Sequence, residues 1–422
     1  MIDNNNIPKH WQFKKLGEVI SILGDGLHGT PKYSNDGEYY FINGNNLCNG
    51  KIIIKDNTKK VSRLEFEKYK KPLNDKTILL SINGTLGNVA FYNNEKVILG
   101  KSACYFNLLD CVNKNYIRIL LSGQQFLNYA QKIATGSTIK NVSLKSMREL
   151  EIPIPPLPEQ QQIVSKIEEL FSELDKGIEN LKTAQQQLKV YRQSLLKWAF
   201  EGKLTNVNVK EGELPKGWKW VNIENLLFDS KKGMSTGPFG TMLKKHEHQP
   251  NGVPVLGIEN IGEGVFQMPN KIFVTKEKAI ELKNFRVKEN DIIISRSGTV
   301  GEICLLPKKM EDSIISTNLI RVRLNQKIIN PKFFVYLFQG GKVRQQVFDL
   351  CKGSSRAFLN QTILRSLKFP FCTIEEQQLI VSELESRLTV CDKMEETITN
   401  SLQQAETLRQ SILKRAFEGK LI

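Results

Sequence analysis

Residues able to do chemistry are plentiful in this sequence, but few stand at a spacing that chemistry uses. Gly100-Lys101-Ser102 matches the end of a loop that cradles phosphates with backbone N–H groups and a lysine. That loop needs a glycine at position 95, which is Glu95. His246 and His248 flank Glu247, and with only His10 and His28 elsewhere a solvated loop is favoured over a metal site. Methyl transfer to adenine calls for an Asn-Pro-Pro-aromatic or Asp-Pro-Pro-aromatic turn, and neither tetrapeptide occurs. No nucleophile stands with a base in a recognisable arrangement. Seven cysteines (Cys48, Cys104, Cys111, Cys304, Cys351, Cys372, Cys391) at scattered spacings, without Cys-x-x-Cys, argue against a disulfide framework and a zinc site; buried free thiols are expected.

What the composition favours is recognition of a polyanion. The formal charge is +16, and its distribution says more than its total. Residues Glu159 to Leu204 sum to 0 and Glu375 to Leu421 to −3, which leaves +19 on the remaining segments. Clustered Lys and Arg are rewarded by counterion release from DNA. Reading a base needs side chains with paired donors or acceptors on a rigid edge, so polar loops after strands are the candidates. In the first half these are His28, Thr30 and Lys32, then Asn43, Asn45 and Asn46, then Asn83 and Thr85, then Thr138, Lys140 and Asn141. In the second half they are Lys231, Lys232 and Thr236, then Glu259 and Asn260, then Arg296 and Thr299, then Ser354, Ser355 and Arg356. Asn, Gly, Ser and Thr also form turns for their own sake, so some of these loops must be structural.

The elements that position these loops are duplicated. Glu159-Gln160-Gln161-Gln162-Ile163-Val164-Ser165 returns as Glu376-Gln377-Gln378-Leu379-Ile380-Val381-Ser382, 217 positions later. The same offset aligns Arg192-Gln193-Ser194-Leu195-Leu196-Lys197 with Arg409 to Lys414, and Ala199-Phe200-Glu201-Gly202-Lys203-Leu204 with Ala416 to Leu421. More loosely, Ile7-Pro8-Lys9-His10-Trp11 answers Leu214-Pro215-Lys216-Gly217-Trp218, and Ser81 to Gly87 answers Ser295 to Gly301, each after an apolar run. The latter read as a strand and a tight turn, with glycine supplying the unusual backbone angles.

The repeated segments are helical by pattern. Ile167, Leu174, Leu181, Leu188 and Leu195 form one line of a heptad seam, and Ile163, Leu170, Gly177, Ala184, Tyr191 and Trp198 the other. The second copy places Leu384, Cys391, Ile398, Ala405 and Ile412 beside Ile380, Met394 and Leu408, interrupted by Arg387, Ser401 and Arg415. About 40 residues make a rod roughly 60 Å long. One apolar seam needs a partner, and its own repeat is the nearest one, so an intramolecular coiled coil is expected. The reading divides the chain into a globular domain over 1–155, a long helix over 156–204, a second domain over 205–372 and a second helix over 373–422. Each domain is expected to be α/β (α+β). With no leader pattern and no apolar run of membrane-spanning length, a cytoplasmic protein is expected.

In its order of parts, the chain resembles the specificity (S) subunits of type I restriction-modification systems. The resemblance rests on Pro-Pro-Leu-Pro-Glu-Gln at 155–160, the doubled Ala-Phe-Glu-Gly-Lys-Leu, Leu-Pro-Lys-Gly-Trp at 214–218 and Glu-Gln-Gln at 376–378. It implies two target-recognition domains, each reading half of a split DNA sequence, held by an antiparallel coiled coil that docks methyltransferase (M) subunits. Restriction (R) subunits join that assembly. It also implies that this chain is not an enzyme and binds no cofactor or metal, with S-adenosylmethionine, ATP and Mg carried by the partners. The alternatives are a self-contained methyltransferase or nuclease, and a purely structural coiled-coil adaptor.

Overall fold

The computed structural model describes residues 7–136, 139–206, 208–210, 212–262, 264–268, 270–351 and 358–422. The chain forms two compact units, Met1–Lys182 with Thr399–Ile422, and Thr183–Ile398. Two 44-residue helices, Leu157–Phe200 and Ile374–Phe417, each contribute to both.

In the first unit the strand Ala103–Leu108 lies between Ile20–Asp25 and Thr77–Ser81, all antiparallel, and Val89–Phe91 completes a four-stranded sheet. Every residue of Thr77–Ser81 and Ala103–Leu108 is buried, which is why these strands read as unbroken apolar runs instead of alternating ones. A three-stranded sheet sets Tyr39–Ile42 antiparallel to Lys60–Val61 and parallel to Val97–Leu99. Gln12–Lys15 pairs with Glu151–Ile154, so the domain closes where it began.

The second unit repeats the order and sense of these strands. Leu319–Val322 lies between Met234–Thr236 and Ile292–Ser295, followed by Ile303–Leu305, and Gly264–Val265 adds a fifth, parallel edge. Val253–Leu256 pairs with Phe273–Val274 and Ile314–Ile315, and Lys219–Asn222 pairs with Lys368–Phe371. Each unit also carries a helix pair, Lys114–Ser122 with Gln124–Ile133 and Pro331–Gln339 with Gly341–Cys351. Their N-caps, Asn113 and Asn330, each accept from two backbone N–H groups of the first turn.

One buried side chain fastens each long helix to its domain, and it does so identically in both. Gln160, fully buried, accepts from the Asn113 N–H at 2.8 Å and donates to the carbonyls of Cys111 (3.2 Å) and Pro155 (2.9 Å). Gln377, also fully buried, accepts from the Asn330 N–H at 2.8 Å and donates to the carbonyls of Ile328 (3.0 Å) and Cys372 (2.9 Å). The glutamate beside each is used differently. Glu159 accepts from the Trp11 indole at 2.8 Å and meets His10 at 2.8 Å, whereas Glu376 accepts from Thr205 and Asn206. At the far ends Gly202 and Gly419 adopt positive φ (+74° and +68°), and a Cβ there would strike Pro215 and Pro8 respectively. Only glycine suits both demands.

The long helices pair in antiparallel sense. In the first unit Ile163, Val164 and Ile167 share a core with Ile412, Ala416 and Phe417, and Arg409 bonds Asp175 and lies 4.4 Å from the Phe171 ring centroid. In the second, Arg192 bonds Asp392 at 2.5 Å and Glu395 at 3.2 Å. Since Arg192 aligns with Arg409 and Asp175 with Asp392 at the 217-residue offset, one ion pair is made twice.

The seam departs from a strict heptad. Ile163, Ile167, Leu188 and Leu195 are buried, Leu170, Leu174 and Leu181 half-buried, and Ile380, Leu384, Ile398 and Ile412 buried. Met394 and Leu408, expected in the seam, are exposed (52% and 51%), as are Gly177, Tyr191 and Trp198. Their line instead runs one residue later, through Ile178, Gln185, Arg192 and Ala199 and through Leu388, Glu395, Leu402, Arg409 and Ala416. The main line keeps its seven-residue period along both helices while the second line shifts by one position, which widens the buried face beyond a narrow coiled-coil seam. The charged residues on the shifted line, Arg192, Glu395 and Arg409, form the cross-helix ion pairs.

Candidate nucleic-acid interface

The tight turns that follow the central buried strands have the same construction in both domains. The Gly87 N–H donates to the Ser81 carbonyl at 3.0 Å and the Gly301 N–H to the Ser295 carbonyl at 2.9 Å, with positive φ at Gly84, Gly87, Gly298 and Gly301. Ser81 and Ser295 are buried, and each hydroxyl donates to a carbonyl inside its own turn, of Thr85 and Ser297 respectively. Thr85 and Thr299 are left exposed at the tips.

In the first domain this turn gathers other candidates. Asn83 donates to the Asn141 side chain at 3.0 Å, and the Gly84 N–H donates to the Lys140 carbonyl at 2.9 Å. Asn83, Thr85, Lys140 and Asn141 thus share one edge, with the Lys140 side chain exposed. His28 and Thr30 are exposed on another loop, His28 held by Asp25 at 2.7 Å; Lys32 is exposed while its backbone N–H donates to Glu65 at 3.1 Å. Asn43 accepts from the Ser102 hydroxyl at 3.0 Å, and Asn45 is exposed beside it. Gly100-Lys101-Ser102 therefore serves this turn: Ser102 also accepts from the Gly44 N–H at 2.8 Å, and a Cβ at Gly100 would strike the Asn43 side chain.

Two asparagine candidates are turned inward. Asn46 (7% exposed) accepts from the Asn43 N–H and donates to the Ile53 carbonyl. Asn260 (fully buried) accepts from the Gly257 N–H and donates to the Gln267 carbonyl and the Asn270 side chain. Both close a short turn and spend their donors on it, so they shape the loop and present nothing outward. The spacing of turn-formers cannot distinguish this from exposure, because an Asn cap and an Asn reader have the same sequence signature.

In the second domain Lys231 and Lys232 are exposed, and their backbone N–H groups both donate to Asp229 at 2.8 Å. Those two bonds, Lys232's first, hold the Asp229 carboxyl below its usual range. Thr236 accepts from Gln361 at 2.9 Å, and Glu259 is half-buried over its own turn. Arg296 is only 6% exposed, and its guanidinium lies 4.1 Å from the Phe358 ring centroid and 5.1 Å from that of Phe239. Thr138, Ser354, Ser355 and Arg356 lie outside the described residues.

The electrostatic balance is positive in both domains: residues 1–158 carry +8 and residues 205–374 carry +11. At one equivalent place in the two sheets the domains differ in kind. Thr77 donates to Asn107 at 2.6 Å in the first, whereas Arg323 donates twice to Asp291, at 2.7 and 2.6 Å, in the second. Among the described residues no cluster of three or more His, Cys, Asp or Glu could hold a metal, and Glu247, between His246 and His248, is bonded to Lys278 at 2.7 Å. All seven cysteines are free. Cys48 and Cys111 are exposed and the other five buried, with burial raising the Cys304 and Cys372 thiols to about 12. No helix among the described residues is long and apolar enough to cross a membrane.

Comparison with known proteins places this architecture. The type I restriction modification DNA specificity domain matches twice, over residues 8–183 and 216–404. The specificity subunit of the type I restriction enzyme StySPI from Salmonella potsdam is 24% identical, over 100% of this chain and 91% of that one. Among solved structures, a chain of a type I R-M system superposes with a TM-score of 0.73 at 18% identity, covering 98% of this chain and 99% of that one. The HsdS subunit from Thermoanaerobacter tengcongensis superposes with a TM-score of 0.64 at 17% identity, covering 98% of each. With the family profile spanning most of its length in two copies, the chain belongs to the type I restriction modification DNA specificity family.

Proposed function

We propose that this chain is the sequence-reading subunit of a type I restriction-modification complex and carries no catalytic chemistry itself. Each domain reads one half of a split DNA target, and the paired helices set the separation of the halves and dock M subunits. The R subunits join through that assembly, and S-adenosylmethionine, ATP and Mg act on the partners, in the cytoplasm. The observation that carries this reading is one backbone scaffold built twice, with positive charge on both copies and different side chains at matching loop positions. Two readers of unlike half-sites need the same frame and different edges.

The test is reconstitution. The purified chain alone methylates and cleaves nothing; with its M subunit it directs adenine methylation to a split sequence, found by mapping methylated adenines. Methyl transfer by the chain alone refutes the non-catalytic reading. DNA binding that is absent or insensitive to salt favours the structural adaptor instead.

A further inference from the structure

We infer that Arg296 is the side chain with which the second domain reads a guanine, its guanidinium held flat for the base edge by Phe239 and Phe358. This rests on the specificity reading above and assigns one residue of it.

Arg296 opens the turn after the buried strand Ile292–Ser295. Its backbone is bracketed: the N–H donates to the Asn318 carbonyl at 2.9 Å, and the carbonyl accepts from the Leu359 N–H at 2.9 Å. The two phenylalanines that flank the guanidinium are themselves 53% and 38% exposed, so the group sits at the rim of the domain and not in its core. Stacking on two rings fixes its plane. Yet among the described residues its donors are nearly idle. Nη1 makes one long bond, 3.3 Å, to the Thr317 carbonyl, and Nε is buried without a partner. Among the described residues no carboxylate pairs with it, and burial lowers its pKa with nothing acidic opposing.

Neighbouring arginines show what a structural role looks like here. Arg321, equally buried at 6% and also with an unpartnered Nε, donates from its Nη1 to the carbonyls of Asn284 (3.2 Å) and Arg286 (2.6 Å). Arg323 is matched twice by Asp291. The two rings stabilise the faces of the Arg296 guanidinium, but they leave N–H donors at its edge unused, and unmet buried donors cost free energy that acceptors from a ligand would recover. The O6 and N7 atoms of guanine are the planar double acceptor that DNA offers in its major groove. A phosphate can also accept from a guanidinium fork, but it carries no sequence, and the exposed Lys231 and Lys232 already offer this domain phosphate-binding charge; the test below separates the two.

The first domain provides the contrast. Ile82 occupies the matching place with the same backbone brackets, donating to the Ser102 carbonyl at 3.1 Å and accepting from the Val142 N–H at 2.8 Å, but it is apolar and 3% exposed. The scaffold is shared and the reader is not.

The experiment uses the complex with its M subunit and duplexes carrying 7-deazaguanine, which lacks the N7 acceptor, at each guanine of the second half-site in turn. One position is expected to weaken wild-type binding by roughly fivefold to a hundredfold. The Arg296→Met complex, which keeps an unbranched side chain between the two rings and has no donor, should bind substituted and plain DNA at that position within about twofold of each other, and its genomic methylation should relax at that G·C pair alone. Unchanged reading of the first half-site by the same complex reports that the variant is folded. A second half-site without a G·C pair, or no sensitive guanine in the wild-type scan, overturns the inference even if the variant fails to fold. Uniform weakening across all positions with a shallower salt dependence also overturns it, in favour of a phosphate contact. A wild-type complex that methylates no split sequence overturns the specificity reading itself, and this inference with it.

Discussion

Replacing Gln160 by leucine should detach the first long helix from its domain at little cost in volume. The side chain is fully buried and makes three hydrogen bonds, one accepted and two donated, to backbone groups that precede two different helices. Each such bond is worth about 1 kcal/mol net, and leucine also leaves one N–H and two carbonyls buried without partners. The expected loss is therefore about 3–5 kcal/mol, a large share of the roughly 5–15 kcal/mol that holds a domain together. Calorimetry of the full chain reads the loss, and amide exchange localises it, because the Asn113 N–H loses its acceptor and should exchange fast. Gln377→Leu should cost the same in the second unit, since its three partners and distances match. Gln160→Glu adds a sign test. A carboxylate keeps the acceptor for Asn113 but faces the Cys111 and Pro155 carbonyls with no proton to give, so its folded pKa is raised. The carboxyl is protonated and tolerated below its unfolded value of about 4.3, and stability is lost as pH rises through the folded pKa. Gln160→Leu chains that melt within about 0.5 kcal/mol of wild type, with the Asn113 amide still protected, would refute the staple.

Four further outcomes are expected. Arg192→Glu should destabilise the helix pairing in the second unit by about 1–2 kcal/mol, and adding Asp392→Arg should recover part of that loss in a double-mutant cycle. Asp291→Ala strands the Arg323 charge and should cost about 3–5 kcal/mol, whereas Asp291→Thr with Arg323→Asn, the neutral pair of the first domain, should cost less than the single change. A thiol reagent near pH 8 should label Cys48 and Cys111 quickly and the remaining five cysteines only in denaturant; early labelling of Cys304 or Cys372, whose thiols burial raises to about 12, counts against this packing. Adding seven residues in register to both long helices lengthens them by roughly 10 Å, about three base pairs of rise, and should lengthen the unread spacer of the target or weaken binding; an unchanged spacer at unchanged affinity shows that the helices do not measure the site.

The sequence by itself determined the duplication, the long helices, the main Ile and Leu line of the seam, and the family. These follow from repeated words and from periodicity, which are properties of local order along the chain. Tertiary structure decided what a side chain at a legible position is used for. Gln160 was visible as part of a repeated motif, but its partner Asn113 lies 47 residues away, and only folding makes the pair a fastening. Asn46 and Asn260 read as exposed turn residues and prove to be buried caps, because the same amide that can read a base can also close its own loop. Met394 and Leu408 carry the right polarity for the seam yet lie outside it. The second line of the buried face runs one residue later, through Glu395 and Arg409, where ion pairs from the facing helix meet them. Arg296 is a polar residue after a strand like several others. Its distinction lies in the two rings that clamp it and the carboxylate that is not beside it, and these depend on residues that the chain brings together only when it folds.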